Sequence, residues 1–223
     1  MAASPTTTPT KSDFITSLMG FYAVAEKLKC AERDPLLSNG KLESVASHCW
    51  MMGLMAMLLI PKMQTPVNLE KVFKLIAVHD LAEAKTGDLP LYKATLNPAT
   101  KTQKTQDEDR VMGEIQRMLP EGMEDLHQLW REYEANATPE AKFVKGLDKL
   151  EATLQSLVYP DIRYWAERYD EVYYSIVLQG WKDKYYAHEP VLMELADALK
   201  ELTASKMREA GLDPEKYRKA QAH

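Results

Sequence analysis

Residues 69–90 read LEKVFKLIAVHDLAEAKTGDLP, and the order of apolar and polar groups in this stretch decides the fold class. Leu69, Val72, Phe73 and Ile76 recur at helical spacing, Asn68 stands where a cap is needed and Gly87 supplies a stop, so a helix is predicted to about Ala84. The apolar stripe then continues, without a change of register, into His79, Asp80 and Glu83. An imidazole and two carboxylates turned towards a core cost several kcal/mol unless something pairs with them. A cation would do so. The bland alternative is a helix end emerging into solvent, each group an ordinary surface charge.

Two further positions have the same character. His48 lies on a helix predicted from about Glu43 to Ile60, where its neighbours Val45, Cys49, Met52 and Ala56 are all apolar; a satisfied core histidine is the competing reading. Asp148 lies beside the stripe Phe143, Leu147, Leu150, Leu154 and Leu157, on a helix opened by Thr138-Pro139-Glu140 with a capping hydroxyl, a first-turn proline and a first-turn acid. It can equally pair with Lys145 or Lys149 as a surface charge. As a set, two histidines and two aspartates beside buried faces of three helices make an N₂O₂ donor group suited to a divalent transition metal, with positions left for water and substrate.

The rest of the chain reads as all-α. Glycine is scarce, nine in 223 residues, and no stretch alternates with period two between turn signals. Ser12 or Asp13 starts a first helix with Phe14, Leu18, Phe21, Tyr22, Ala25 and Leu28 on its core face. Residues 31–42 read as a loop, on the strength of Asp34-Pro35 and Ser38-Asn39-Gly40. Helices are expected over about 100–118, 121–134, 162–179 and 190–210, with Lys101 to Arg110 a solvated face. The methionines at 51, 52, 55 and 57 read as adaptable packing, and Tyr159, Tyr164, Trp165, Tyr169, Tyr173 and Tyr174 as helix packing or a dimer surface. The expected organisation is a tail at 1–11, one domain over 12–210 and a tail at 211–223.

Composition narrows the function classes. Lys and Arg number 28 against 33 Asp and Glu, a formal charge of −5 with no basic block, which disfavours a nucleic-acid polymer as partner. Cys30 and Cys49 are too few for a disulfide framework and are not spaced as C-x-x-C, so a reducing compartment is expected. The longest apolar run, Cys49 to Ile60, is 12 residues where a membrane span needs about 20, and it reads as buried helix. The first residues lack a signal-peptide pattern, giving a cytoplasmic expectation with the nucleus open.

At this point the residues carry a family resemblance. The order His48, His79-Asp80, Asp148 resembles the H…HD…D signature of the HD-domain metal-dependent phosphohydrolases. The doublet stands inside AVHDLAEAKTGDLP (77–90), preceded by ESVASH (43–48) and followed by AKFVKGLDKLE (141–151). These blocks are similar to the 5′-deoxynucleotidase branch, the family of bacterial 5′-deoxynucleotidases and eukaryotic HD domain-containing protein 2, over about residues 14–160.

The resemblance implies an HD-domain helical bundle with additional C-terminal helices, a homodimer, and hydrolysis of deoxyribonucleoside 5′-monophosphates to nucleoside and inorganic phosphate. Residue by residue, His48, His79, Asp80 and Asp148 take the metal-ligand positions, Glu83 the catalytic acid/base position and Asp88 the position that contacts the sugar. Because His127, His188 and His223 match no further ligand position, one divalent ion is implied; the donor set admits Mn, Co, Fe or Zn. Family members carry an Arg followed by a Trp in the loop before the first histidine, which hold the phosphate and select against ribose. Arg33 matches the arginine. No tryptophan follows it and the loop reads shorter, so sugar selectivity stays open, with Lys41 an alternative phosphate contact. A divalent ion suits a phosphate monoester because it neutralises phosphoryl oxygens and lowers the pKa of a water, and both histidines must be neutral to hold it, so activity should fall on acidification. Two alternatives remain: an HD phosphohydrolase acting on another small phosphate ester or a cyclic nucleotide, and a non-catalytic nucleotide-binding protein.

Overall fold

The computed structural model describes residues 11–89, 98–120, 122–158, 162–165 and 182–219. Helices α1 (Lys11–Ala25), α2 (Val45–Leu59), α3 (Leu69–Val78), α4 (Glu83–Thr86), α5 (Pro98–Gln116), α6 (Leu126–Ala135), α7 (Pro139–Val158), α8 (Pro190–Glu209) and α9 (Pro214–Lys219) dominate it. A hairpin of β1 (Glu32–Leu36) and β2 (Leu42–Ser44) lies between α1 and α2. The all-α reading holds. The expected tyrosines 159, 169, 173 and 174, most of the helix over 162–179, the loop at Pro90 and most of the N-terminal tail lie outside the described residues.

The caps expected from sequence are present: Asn68 Oδ1 accepts from Lys71 N at 3.1 Å, and Thr138 Oγ1 from Ala141 N at 3.3 Å. Gly87 ends α4 at φ 73°, a conformation that costs a glycine little. The central element is α7, whose Phe143, Leu147, Leu150 and Leu157 are buried as its stripe requires, with Leu154 partly so. Around it pack Met52 and Ala56 of α2, Val72, Leu75 and Ile76 of α3, Leu129 and Tyr133 of α6, and Leu192 and Met207 of α8. A second cluster joins Leu28, Val45, Leu81, Ala82 and Ala84 to Val111, Met112 and Ile115 of α5 and to Trp130. Val78 belongs to the first cluster and Leu81 to the second, so His79 and Asp80 cross the seam between them.

Several expectations need correction. The loop over 31–42 is an antiparallel hairpin with Glu32 opposite Ser44 and Leu36 opposite Leu42; only its tip is a turn. Pro35 misled the reading, since a two-stranded ribbon has an open edge where a missing N–H costs nothing. Gln155 Nε2 donates to the Leu36 carbonyl at 2.6 Å and Tyr164 OH to that of Asp34 at 3.2 Å, tying the hairpin to the helical body. The third helix stops at Val78, and 79–82 form tight turns before α4. Its buried stripe is Val72, Leu75, Ile76 and His79, while Leu69 and Phe73 face outwards, Phe73 lying 3.4 Å from the position a Cβ on Gly53 would take. In α1, Phe14, Leu18 and Tyr22 are exposed, with Phe21, Val24, Ala25 and the following Leu28 contributing to the core.

The run Cys49 to Ile60, expected as buried helix, lies within Val45–Lys62, a stretch with the length and mean hydropathy, 1.3, of a membrane-crossing helix, of which only 22% is buried. Val45, His48, Met52 and Ala56 are enclosed, whereas Trp50, Leu54, Met57 and Leu58 are exposed. Of the four methionines, Met52 and Met55 pack on the core. Trp165 behaves as packing, its indole N–H donating to the Ser156 carbonyl at 3.0 Å.

The approach of α7 to α8 depends on Gly146, where an added Cβ would lie 3.0 Å from both Leu192 Cδ1 and the Tyr185 carbonyl oxygen. Gly146→Ala adds helix propensity of about 1 kcal/mol but overpacks a backbone contact, at a cost of about 1–3 kcal/mol. The expected result is a lower urea midpoint; a higher one would show that α7 and α8 can part without loss.

Candidate metal centre

Each histidine is aimed by a hydrogen bond from its far nitrogen. The tight turns after α3 bring the His79 ring back onto its own helix, where Nδ1 lies 2.9 Å from the Ile76 carbonyl oxygen. A carbonyl can only accept, so Nδ1 carries the hydrogen and Nε2 faces away. On α2, His48 Nδ1 lies 2.5 Å from Glu151 Oε2, and a carboxylate likewise accepts. Both Nε2 atoms are buried and without a hydrogen-bond partner among the described residues.

These two atoms converge on Asp80. Its Oδ2 is 3.1 Å from His79 Nε2 and 4.0 Å from His48 Nε2, and one ligand atom from each of the three residues fits within 4.8 Å of the others. Asp148 approaches from α7 with Oδ1 3.4 Å from His48 Nε2. Its other oxygen is occupied, accepting from Tyr133 OH at 3.2 Å and from Lys149 Nζ at 2.6 Å. The sequence left open whether Asp148 was a surface ion-pair partner or part of the cluster. It is both: buried, paired with Lys149, and turned to His48.

Burial alone would raise the carboxyl of Asp80, yet the flanking His79 and His48 hold it well below the usual range. Burial also works against Asp148, which Lys149 and His48 keep ionised. For His48, burial and the Arg33 charge disfavour the imidazolium, but Asp148 and Glu151 more than offset them and push it up to about 9. The chemistry fits a divalent cation: two imidazole nitrogens and the Asp80 carboxylate converge, with Asp148 Oδ1 beside His48 and both rings oriented from behind.

Arg33 enters from β1. Its Nε is 3.3 Å from Glu43 Oε2 and its Nη1 3.6 Å from Asp80 Oδ2, with the side chain only 10% exposed. Burial would favour the neutral guanidine, but Asp88, Asp80, Asp148 and Glu151 keep it charged. Asp88 is half-buried after Gly87; burial raises its carboxyl while Arg33 and Lys104 pull it down, which places it in the same electrostatic field. Lys41 is not brought in: it is exposed at the hairpin tip, and no described ion pair or hydrogen bond ties its side chain to the cluster.

Glu83 is buried on α4, and its Oε1 accepts from Lys104 Nζ at 2.8 Å. Lys104 corrects another expectation, since the run from Lys101 to Arg110 is not wholly a solvated face. Sequence reasoning also missed Glu151 and Glu43. The signal for Glu151 was present, because it follows Asp148 by three residues and Leu147 by four on the buried face of α7. Glu43 gave none: it was assigned to a helix but lies on β2, where burial and the Glu151 charge push its carboxyl up to about 7 despite Arg33.

The HD-domain family model matches residues 25–188. Human 5′-deoxynucleotidase HDDC2 is 33% identical over 162 residues, covering 71% of this chain and 76% of the relative. The 5′-deoxynucleotidase hdd1 of Schizosaccharomyces pombe is 34% identical over 150 residues, 64% of this chain and 72% of the relative. Among solved structures, a predicted metal-dependent phosphohydrolase from Magnetospirillum magnetotacticum superposes with a TM-score of 0.71 at 23% identity, covering 91% of this chain and all of that one, a likeness of fold. With His48, His79 and Asp80 converging at the seam of the helical body and the family model matching most of the chain, the chain belongs to the HD-domain family.

Proposed function

We propose that this chain is a metal-dependent 5′-nucleotidase that hydrolyses nucleoside 5′-monophosphates, deoxyribonucleotides by preference, to nucleoside and inorganic phosphate. The observation that carries it is the pair of buried, unpartnered Nε2 atoms of His48 and His79 facing Asp80 Oδ2. The names of the two relatives described, 5′-deoxynucleotidases of human and fission yeast, support the substrate class.

His48, His79, Asp80 and Asp148 hold one divalent ion in this reading, from among Mn, Co, Fe and Zn. When bound, such an ion neutralises phosphoryl oxygens and makes a water a better nucleophile. Arg33, already 3.6 Å from Asp80, turns its guanidinium to the phosphoryl group, where its fork of donors matches the oxygens. Water attacks phosphorus in line with the bond to the 5′-oxygen. A water O–P bond forms, the P–O5′ bond breaks, and Glu83 carries the proton from the water to the departing 5′-oxygen. Asp88 accepts from a sugar hydroxyl. Glu151 keeps the His48 ring in its orientation by accepting from Nδ1.

Phosphate release from a panel of deoxy- and ribonucleoside 5′-monophosphates, after metal stripping and return of Mn²⁺ or Co²⁺, tests the reading. Asp80→Ala should abolish release. Glu83→Gln should lower kcat about 10²- to 10⁴-fold while still binding the ion. Glu151→Gln should raise the metal concentration needed by about 10- to 100-fold. No release by metal-loaded protein from any nucleotide would sink the proposal, and a monoester product from a cyclic substrate would redirect it.

The His48 imidazolium gives a pH signature. In the metal-free protein it is protonated below about 9, so at neutral pH an ion must displace that proton. Affinity for Co²⁺ should therefore rise between pH 6 and about 9, with proton release visible as a dependence of the binding enthalpy on the buffer's ionisation enthalpy. Buffer-independent enthalpy at pH 7 would remove His48 from the ligand set. The same shift stabilises the metal-free fold fully below the unfolded value of 6.5, a contribution lost as pH rises through about 9.

A homodimer is part of the proposal. Trp50, Leu54, Met57 and Leu58 leave an apolar face on α2, with Leu58 71% exposed, and a second copy of the chain would cover it. Light scattering should give twice the 25.4 kDa chain mass, and Leu58→Glu should halve it; a wild-type monomer would refute this.

A further inference from the structure

Helix α5 repeats the device that marks the end of α3. Ile115, Met112 and Val111 are buried on its inner face, and the same face continues through buried Glu108 to Lys104 at helical steps of three, one, three and four. An apolar stripe thus runs into charge again, towards the N-terminal half of the helix that packs on α4.

Lys104 Nζ is 2.8 Å from Glu83 Oε1 and 3.3 Å from Glu108 Oε1, with its side chain 25% exposed. Glu83 is almost fully enclosed, and its Oε2 has no hydrogen-bond partner among the described residues. The two oxygens of this carboxylate are therefore not equivalent. One is engaged by an ammonium that a second carboxylate holds from its own helix; the other is buried and unengaged. Burial and the charges of Asp80 and Asp88 drive Glu83 towards its neutral form, and Lys104 opposes them. On Lys104 itself burial acts against the charge, with Glu83, Glu108 and Asp80 sustaining it.

We propose that Lys104 is a positioning residue for the hydrolysis: it clamps Glu83 Oε1 and leaves Oε2 as the oxygen through which the reaction's proton passes, with Glu108 holding the clamp in place. This rests on the reading of Glu83 as the proton carrier. Lys104 is not a phosphate anchor on this account, because its ammonium is committed to two carboxylates. A clamp of this kind acts on turnover and leaves substrate affinity alone.

The test is steady-state phosphate release by the Co²⁺-loaded full chain, together with the carboxyl ¹³C resonance of Glu83, assigned by its loss in Glu83→Gln. Lys104→Met should lower kcat about 100-fold, the size of one acid–base contribution, with KM held within about threefold and Co²⁺ affinity unchanged. Lys104→Arg should recover part of kcat, and Glu108→Gln should fall between. The Glu83 resonance should titrate at higher pH in Lys104→Met than in wild type. A KM rise at constant kcat would overturn the clamp and make Lys104 a substrate contact. Wild-type kcat with an unmoved resonance would also overturn it. If the wild-type chain releases no phosphate from any nucleotide, the functional reading fails, while the resonance shift still decides whether Lys104 controls Glu83. Should Lys104→Met not fold, Lys104→Arg and Glu108→Gln carry the same comparison.

Discussion

The rest of the structure depends on how charge is kept inside an apolar body. His48, Glu43, Glu83, Asp148 and Glu151 are all buried, in contact with a core built from leucine, valine and phenylalanine. Each alone would cost several kcal/mol to desolvate. They persist because every one is engaged from behind: His48 by Glu151, Glu43 by Arg33, Glu83 by Lys104, Asp148 by Tyr133 and Lys149. Hydrophobic packing supplies the stability for this arrangement, since α7 alone buries four large side chains completely or nearly so.

The geometry of the chain at His79 shows how the backbone contributes. Had α3 continued as a regular helix to Ala84, residues would advance 100° each, and Asp80 and Glu83 would splay apart by 60°. Instead Leu81 N, Glu83 N and Ala84 N bond to carbonyls three residues back, at 3.1, 3.0 and 3.3 Å. Such tightening brings residues three apart nearly into line, so Asp80 and Glu83 share one side. It also carries the chain from the larger apolar cluster to the smaller one.

Much of this was legible before any coordinates. A stripe that runs from Ile76 into His79 without a register change is a local signal, and so is an aspartate beside Leu147; both report burial through helical periodicity. What was hidden is non-local. Glu151 takes its meaning from a histidine 103 residues away, and Gln155 from a carbonyl 119 residues away. The hairpin was missed because Pro35 and the Ser-Asn-Gly tip are loop residues by composition, and a two-stranded ribbon held by α7 and Tyr164 needs no alternating pattern of its own. The outward turn of Leu69 and Phe73 was missed for the opposite reason. Periodicity gives the spacing of a face but not which of two adjacent apolar rows is covered, and that choice was made by α2 and α7.

Charge around the centre is unbalanced. Glu43, Asp80, Glu83, Asp88, Asp148 and Glu151 surround it as acids, against Arg33, Lys104 and Lys149 as cations. Protons are accordingly retained on groups that would ordinarily lose them: burial and then the Glu151 charge push the Glu43 carboxyl to about 7, and against burial Asp148 and Glu151 push the His48 imidazolium to about 9. Such a centre repels a phosphate dianion for as long as only protons balance it. A divalent cation held by His48, His79, Asp80 and Asp148 would change that, supplying fixed positive charge in place of diffuse protonation. The cations already present cannot substitute for it. Lys149 holds Asp148 and Lys104 holds Glu83 and Glu108, which leaves Arg33, between Glu43 and Asp80, as a single charge to set against a dianion. With the ion held as proposed, the carboxylates that would bind it are thus also the reason an anionic substrate would need it.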